Sequence, residues 1–169
     1  MAEPAKTRWV TFELGFFESQ ILLQSLRVIS RNYRIKPEEA DAKTAAVWYS
    51  TRGCQTSGMS GEDTAEWLAH LHQIKQANLE PVERWILALS QKKSDRCRMR
   101  IKLEEAAGFL AVLNDHRLFL AARHDIGEAE MNMRNLGQFR LLPPHQQTAV
   151  LEMELMGMVI EQVIGKLSM

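Results

Sequence analysis

Little in this sequence announces a chemistry. Among 169 residues only Cys54 and Cys97 are cysteines, and they form no CxxC pair. That usage reads as reduced thiols in a cytoplasmic protein and argues against a disulfide framework or a zinc site. Net charge is missing as well, because 21 basic and 21 acidic residues cancel. A nucleic-acid surface normally needs a basic excess, so no nucleic-acid partner is expected. The basic stretch KKSDRCRMRIK (92–102) reads as a solvated connection between helices.

Long apolar runs are absent too. The most hydrophobic segment, AVLEMELMGMVIEQVIGKL, is interrupted by Glu152, Glu154 and Glu161. Three carboxylates within one bilayer span are expensive, so no membrane helix is expected. The opening MAEPAKTRWVTFELGFF carries Glu3 and Glu13 and has no uninterrupted apolar core of a signal peptide. Phosphate-binding GxGxxG and Walker loops are lacking, as is a GxSxG nucleophile elbow.

What the chain does have is helical periodicity, with no strong alternation of strand type. A first helix is expected from about Thr11 to Arg34, with Phe12, Phe16, Leu22, Leu23 and Leu26 on one face. Phe17, Ile21 and Val28 form a second apolar strip, which suits a helix packed between neighbours. Pro37, followed by Glu38 and Glu39, opens a second helix to about Ser50. Ser60 with Asp63 resembles a capping box and starts a third near Gly61, and Pro81 fits the first turn of a fourth, from about Glu80 to Gln91. A fifth spans 104–125, and Pro143–Pro144 open the last, to about Lys166. Residues 51–61 and 125–143 read as loops, and 1–10 as loosely held. The expectation is a single-domain, all-α bundle (1–169) of about five to six main helices, with the first, fifth and last as its core.

Metal ligation is not supported by the spacing. His70 and His72 stand two apart, so on a helix they diverge by ~200° and cannot share an ion. Glu66 and His70 share a face, but the Glu-x-x-His pattern of di-metal bundles is absent. No metal, cofactor or catalytic residue is therefore expected.

The polar residues of VLNDHRLFLAARHDI (112–126) are the exception in an apolar stretch. Asn114 and Asp115 fall on the less apolar side of the fifth helix, Arg117 between faces, and His116 and Arg123 inside the apolar arc with Phe109, Val112 and Phe119. A buried arginine needs a carboxylate, and Glu154 and Glu161 of the last helix are available on one stripe. Two readings stand: an interhelical network that fixes register, or a binding or catalytic cleft built on the same residues.

The segment FLAVLNDHRLFLAARHDI also resembles the signature of a bacterial family of unknown function. Its pattern runs Leu-Asn-Asp-x-Arg-Leu and then Leu-Gly-Thr-Arg-Leu-Gly-Ile/Val. Leu113, Asn114, Asp115, Arg117, Leu118, Leu120, Arg123 and Ile126 match, while Ala121, Ala122, His124 and Asp125 replace Gly, Thr, Leu and Gly. Leu22, Leu23, Ser25 and Leu26 match an early LLxSL helix of the same family. The resemblance implies an all-helical protein, often encoded beside the adaptor of the Clp protease and a JAMM-type peptidase. It thus implies an accessory or adaptor role in proteolysis or sulfur-carrier chemistry. The expected function is a non-enzymatic interaction or regulatory protein; the alternative is a small-molecule-binding protein or enzyme using the polar cluster. Self-association as a homodimer is expected through Leu151, Leu155 and Met158, a second apolar seam on the last helix.

Overall fold

Alternation, not helical periodicity, governs the first ordered stretch. Val10, Phe12 and Leu14 are buried, while Trp9 before them and Glu13 between Phe12 and Leu14 face solvent. In the computed structural model, which describes residues 2–92, 95–132 and 135–169, this segment is strand β1 (Trp9–Gly15). Helices α1 (Phe16–Tyr33), α2 (Ala42–Trp48), α3 (Arg52–Thr56), α4 (Gly61–Ala77) and α5 (Leu79–Ser90) follow. Strand β2 (Arg96–Lys102) comes next, then α6 (Ala106–Arg123), α7 (Glu128–Met131), α8 (Leu136–Arg140) and α9 (Pro144–Leu167).

The fold is mostly α, as expected, but it has more helices than five or six and it contains a sheet. β1 and β2 pair antiparallel, with Trp9 opposite Lys102 and Gly15 opposite Arg96. Cys97, Met99 and Ile101 point inward and the arginines between them point out. The expected solvated connection at 92–102 is therefore largely a strand; Lys93 and Ser94 lie outside the described residues. The outer face is a cross-strand surface, where Arg98 pairs with Glu13 at 3.3 Å and Arg100 stacks on the Trp9 ring at 4.3 Å.

The sheet corrects the first helix. Residues 11–15 belong to β1, and α1 begins only at Phe16, where the Gly15 N–H donates to Glu18 Oε2 at 3.1 Å. Its expected second apolar strip is half wet: Phe17 is 80% exposed and Ile21 is exposed, while Val28 packs on the core. Leu22, Leu26 and Ile29 carry the buried face.

Local chemistry sets the other boundaries. The Asp41 carboxylate accepts the Thr44 N–H at 2.9 Å and starts α2, so Pro37–Glu39 forms a separate 3-10 turn. Ser60 Oγ accepts the Asp63 N–H at 3.1 Å and starts α4. The two stretches expected as loops contain the short helices α3, α7 and α8; Met133 and Arg134 lie outside the described residues. In the core, α6 packs against α2 and α9, α1 against α5, and β1 against α9. Phe109, Val112 and Leu113 of α6 meet Met156, Val159 and Val163 of α9 within that cluster.

Candidate functional site

Asp115 is the hub of the polar centre. Its Oδ2 accepts hydrogen bonds from the Tyr33 hydroxyl at 2.6 Å and from Lys75 Nζ at 2.9 Å. Its carbonyl oxygen accepts from Trp48 Nε1 at 2.9 Å. One residue of α6 thereby holds α1, α2 and α4. The Lys75 ammonium also lies 5.6, 5.0 and 5.8 Å from the ring centres of Tyr33, Trp48 and Tyr49. A cation taken out of water is thus neutralised by one carboxylate and surrounded by three aromatic rings. Burial, then the adjacent Asp115 charge, pushes the Tyr33 hydroxyl far above its ordinary range, so it stays a donor.

His116 anchors a second network one residue on. Its Nε2–H donates to Glu152 Oε1 at 2.7 Å, and Ser25 Oγ donates to the same oxygen at 2.7 Å. Burial works to raise the Glu152 pKa, but the hydrogen bonds from His116 and Ser25 outweigh it and hold the carboxyl below its usual range. The imidazole stacks on Phe119, 5.9 Å between centres.

The remaining residues singled out from the sequence do not join either network. Asn114 and Arg123 are exposed, and Arg123 lies over the Phe119 ring at 5.9 Å. Arg117 lies beside Gly157, with its Nε buried and without a hydrogen-bond partner among the described residues. Glu154 and Glu161 are exposed. The pairing expected between a buried arginine and Glu154 or Glu161 does not form among the described residues, and Asp115 is paired with Lys75 instead. The carboxylate that α9 sends inward is Glu152, two residues before Glu154. The proposed seam splits as well: Leu155 is 7% exposed and belongs to the core, whereas Leu151 is 58% exposed and Met158 is exposed.

The polar centre reaches the surface through Tyr49 and His72. These two line a groove of about 880 Å³ between α2 and α4. The Tyr49 hydroxyl and His72 Nδ1 are 3.2 Å apart. Burial, then the Asp115 charge, pushes the Tyr49 pKa up to about 12. His72 is 8% exposed, and its Nε2 is buried without a hydrogen-bond partner among the described residues. Ala45, Ala65, Leu68 and Ala69 supply apolar lining, and Lys36, Pro37 and Glu38 also line the groove. Sequence reasoning dismissed His72 because it shares no face with His70. The available signal was its place one turn before Lys75, the buried cation of the same helix.

Among the described residues, no three His, Cys, Asp or Glu side chains converge to hold a metal ion, and no helix is long and apolar enough to cross a membrane. The family described as "Domain of unknown function (DUF2017)" matches residues 59–164, well over half of the chain. The chain belongs to that family. The matched segment opens just before α4 and closes inside α9, so it holds His72, Lys75, Asp115 and Glu152 but not Tyr33, Trp48 or Tyr49. No curated protein and no solved structure matches the chain.

Proposed function

We propose that this DUF2017 protein works by binding, as an interaction module of adaptor type, and that the α2–α4 groove is its docking face. One observation carries the reading. The groove is open to solvent, and its lining includes His72, whose Nε2 is buried beneath that surface without a hydrogen-bond partner among the described residues. A buried polar atom without a partner costs free energy, and an occupant whose docking shifts the His72 ring enough to supply the missing hydrogen bond recovers it. The rival reading, catalysis or small-molecule binding around Asp115, is weaker because that carboxylate is already committed to Lys75 and Tyr33. The likeness of the α6 segment to LNDxR proteins makes proteolysis or sulfur-carrier chemistry the natural setting for such an adaptor. Residue-specific photo-crosslinking in cells tests the reading. A photoreactive residue at Gln73, in the groove, should give a discrete adduct that the same residue at Arg98, on the outer face of β2, does not. No adduct, or identical adducts from both positions, ends the docking reading.

Self-association through α9 is a second proposal, now resting on Leu151 and Met158 alone. Both expose apolar surface on the stripe that also carries Glu154 and Glu161. Sedimentation of the wild-type chain checks it, and a monomer at all concentrations removes it.

A further inference from the structure

We infer that the outer edge of β2 takes an extended acidic peptide segment as a third strand, with apolar residues alternating between its carboxylates. This surface shares no lining residue with the α2–α4 groove, so the inference stands apart from the docking reading above.

Strand pairing decides which groups the edge presents. The Leu103 N–H donates to the Arg8 carbonyl, directly opposite it in the register, at 2.9 Å. Hydrogen-bonded and non-bonded pairs alternate along an antiparallel ladder, so Ile101, Met99 and Cys97 are the residues that bond to β1. Arg98 and Arg100 therefore turn their N–H and C=O groups away from β1. Among the described residues no other segment bonds to those groups. The sheet has only these two strands, and an edge of this kind is a template for a further one.

Charge selects the occupant. In an added strand, the residue bonded to Arg98 or Arg100 stands directly opposite it and points to the same face. That is the outer face, where β2 sets out Arg96, Arg98, Arg100 and Lys102 and β1 answers with Glu13 alone. The Arg98–Glu13 pair is exposed on both sides and is readily exchanged. Arg100 lies on the Trp9 ring and has no carboxylate partner among the described residues. Stacking fixes its guanidinium and leaves the N–H groups at its rim for a carboxylate. A second copy of β2 would set arginine against arginine, which disfavours self-pairing.

The residues between those carboxylates point to the inner face. Beside β2 on that flank is a cavity of about 240 Å³, lined in part by Cys97 and Met99 of β2 and by Ala88 and Leu89 of α5. These side chains suit apolar partners, and they give the occupant its alternation. Lys92 in the same lining adds one more cation.

The test uses the full chain and short, terminally blocked fluorescent peptides, with binding read by anisotropy. A peptide of alternating Glu and Val should bind. The same composition with its glutamates in one block, and a peptide of alternating Lys and Val, should each bind about tenfold more weakly or less. N-Methylation at the glutamates, whose N–H groups would face β2, should cost about tenfold, and N-methylation at the valines should not. Arg98→Glu combined with Arg100→Glu, both exposed, should lose the Glu/Val peptide and gain the Lys/Val one, with an unchanged circular dichroism spectrum. The methylated peptides need no variant and decide the matter if that protein misfolds. No binding of the Glu/Val peptide would leave the arginine row as a guard against edge pairing and overturn the inference. Equal binding of the block or glutamate-methylated peptide, or tighter binding of a single-stranded oligonucleotide, makes the surface a general polyanion site and overturns it as well. Any adduct at Arg98 in the crosslinking above should come from this segment and differ from that at Gln73.

Discussion

Lys75 brings an ammonium group to a position where its side chain is 11% exposed, and among the described residues the Asp115 carboxylate is its counter-ion. Removing the carboxylate strands the cation, so Asp115→Ala should cost about 3–5 kcal/mol, the range for breaking a buried pair. Replacing both partners by apolar groups removes the stranded charge. Lys75→Met with Asp115→Leu should therefore be more stable than Asp115→Ala alone, as read by urea denaturation. Additive losses in that cycle would show that the two groups are uncoupled. Tyr33→Phe deletes one hydrogen bond to the same charged oxygen and should cost about 1.5–3 kcal/mol in the same assay. Asp115 was legible in the sequence as one of the polar residues of an otherwise apolar stretch, but its place on the less apolar side of the helix gave no sign that it is the hub. Lys75 was not, because a lysine on a helix as weakly amphipathic as α4 is ordinarily solvated, and only the approach of Tyr33, Trp48 and Tyr49 encloses it. Glu152 was noted only as an interruption of an apolar run. Its inward role depends on Ser25 and His116 arriving from two other helices.

Elements whose ends are set by neighbouring residues were easy to read. Ser60 before α4, Pro81 inside the start of α5 and Pro144 opening α9 each act within one turn, and the helices follow them. The strands were hidden for a different reason. Each is seven residues long, and each hydrogen-bonds to a partner more than eighty positions away. Phe12 and Leu14 fall on helical as well as extended faces, and the arginines of β2 look like a solvated linker until Cys97, Met99 and Ile101 are seen to alternate with them. Only pairing separates these cases. Helix α9 supplies two checks at this scale. Leu155→Glu should unfold the chain, because the carboxylate enters the core without a counter-ion, whereas Leu151→Glu should leave circular dichroism unchanged. A folded Leu155→Glu protein would contradict the burial of that side. Gly157 lies mid-helix, and a Cβ added there would meet Arg117 Cζ at an ordinary 3.8 Å. Gly157→Ala should then raise stability by about 0.5–1 kcal/mol through helix propensity, and a lower melting temperature would contradict it.

For the whole molecule, net charge is zero near neutrality, so long-range self-repulsion is small and the pH dependence of stability reports local sites. The acid side is set first by His124. Burial, then His145 at 3.1 Å and Arg123, holds its pKa below the ordinary 6.5. The unfolded chain therefore takes up that proton first, and stability falls as pH drops through 6.5. Three further carboxylates act in the same direction at lower pH. Asp41 is held down by the Thr44 N–H, Glu83 by the Ser30 hydroxyl, and Glu152 by His116 and Ser25 against its own burial. Each contributes stability above its ordinary value, 3.8 for Asp41 and 4.5 for the glutamates, and loses it as pH falls below. On the alkaline side burial raises the Cys97 thiol above its ordinary 9.0 and the Tyr33 and Tyr49 hydroxyls above 10.0, so the unfolded chain ionises first and stability falls as pH rises through 9.0 and again through 10.0. The urea midpoint should accordingly form a plateau between pH 6.5 and 9.0 with a loss on each side. His124→Asn should remove the step at 6.5 while leaving the carboxylate limb in place. A midpoint that climbs as pH falls through 6.5 would mean that His124 gains a counter-charge in the fold, the reverse of the cationic surroundings that His145 and Arg123 provide.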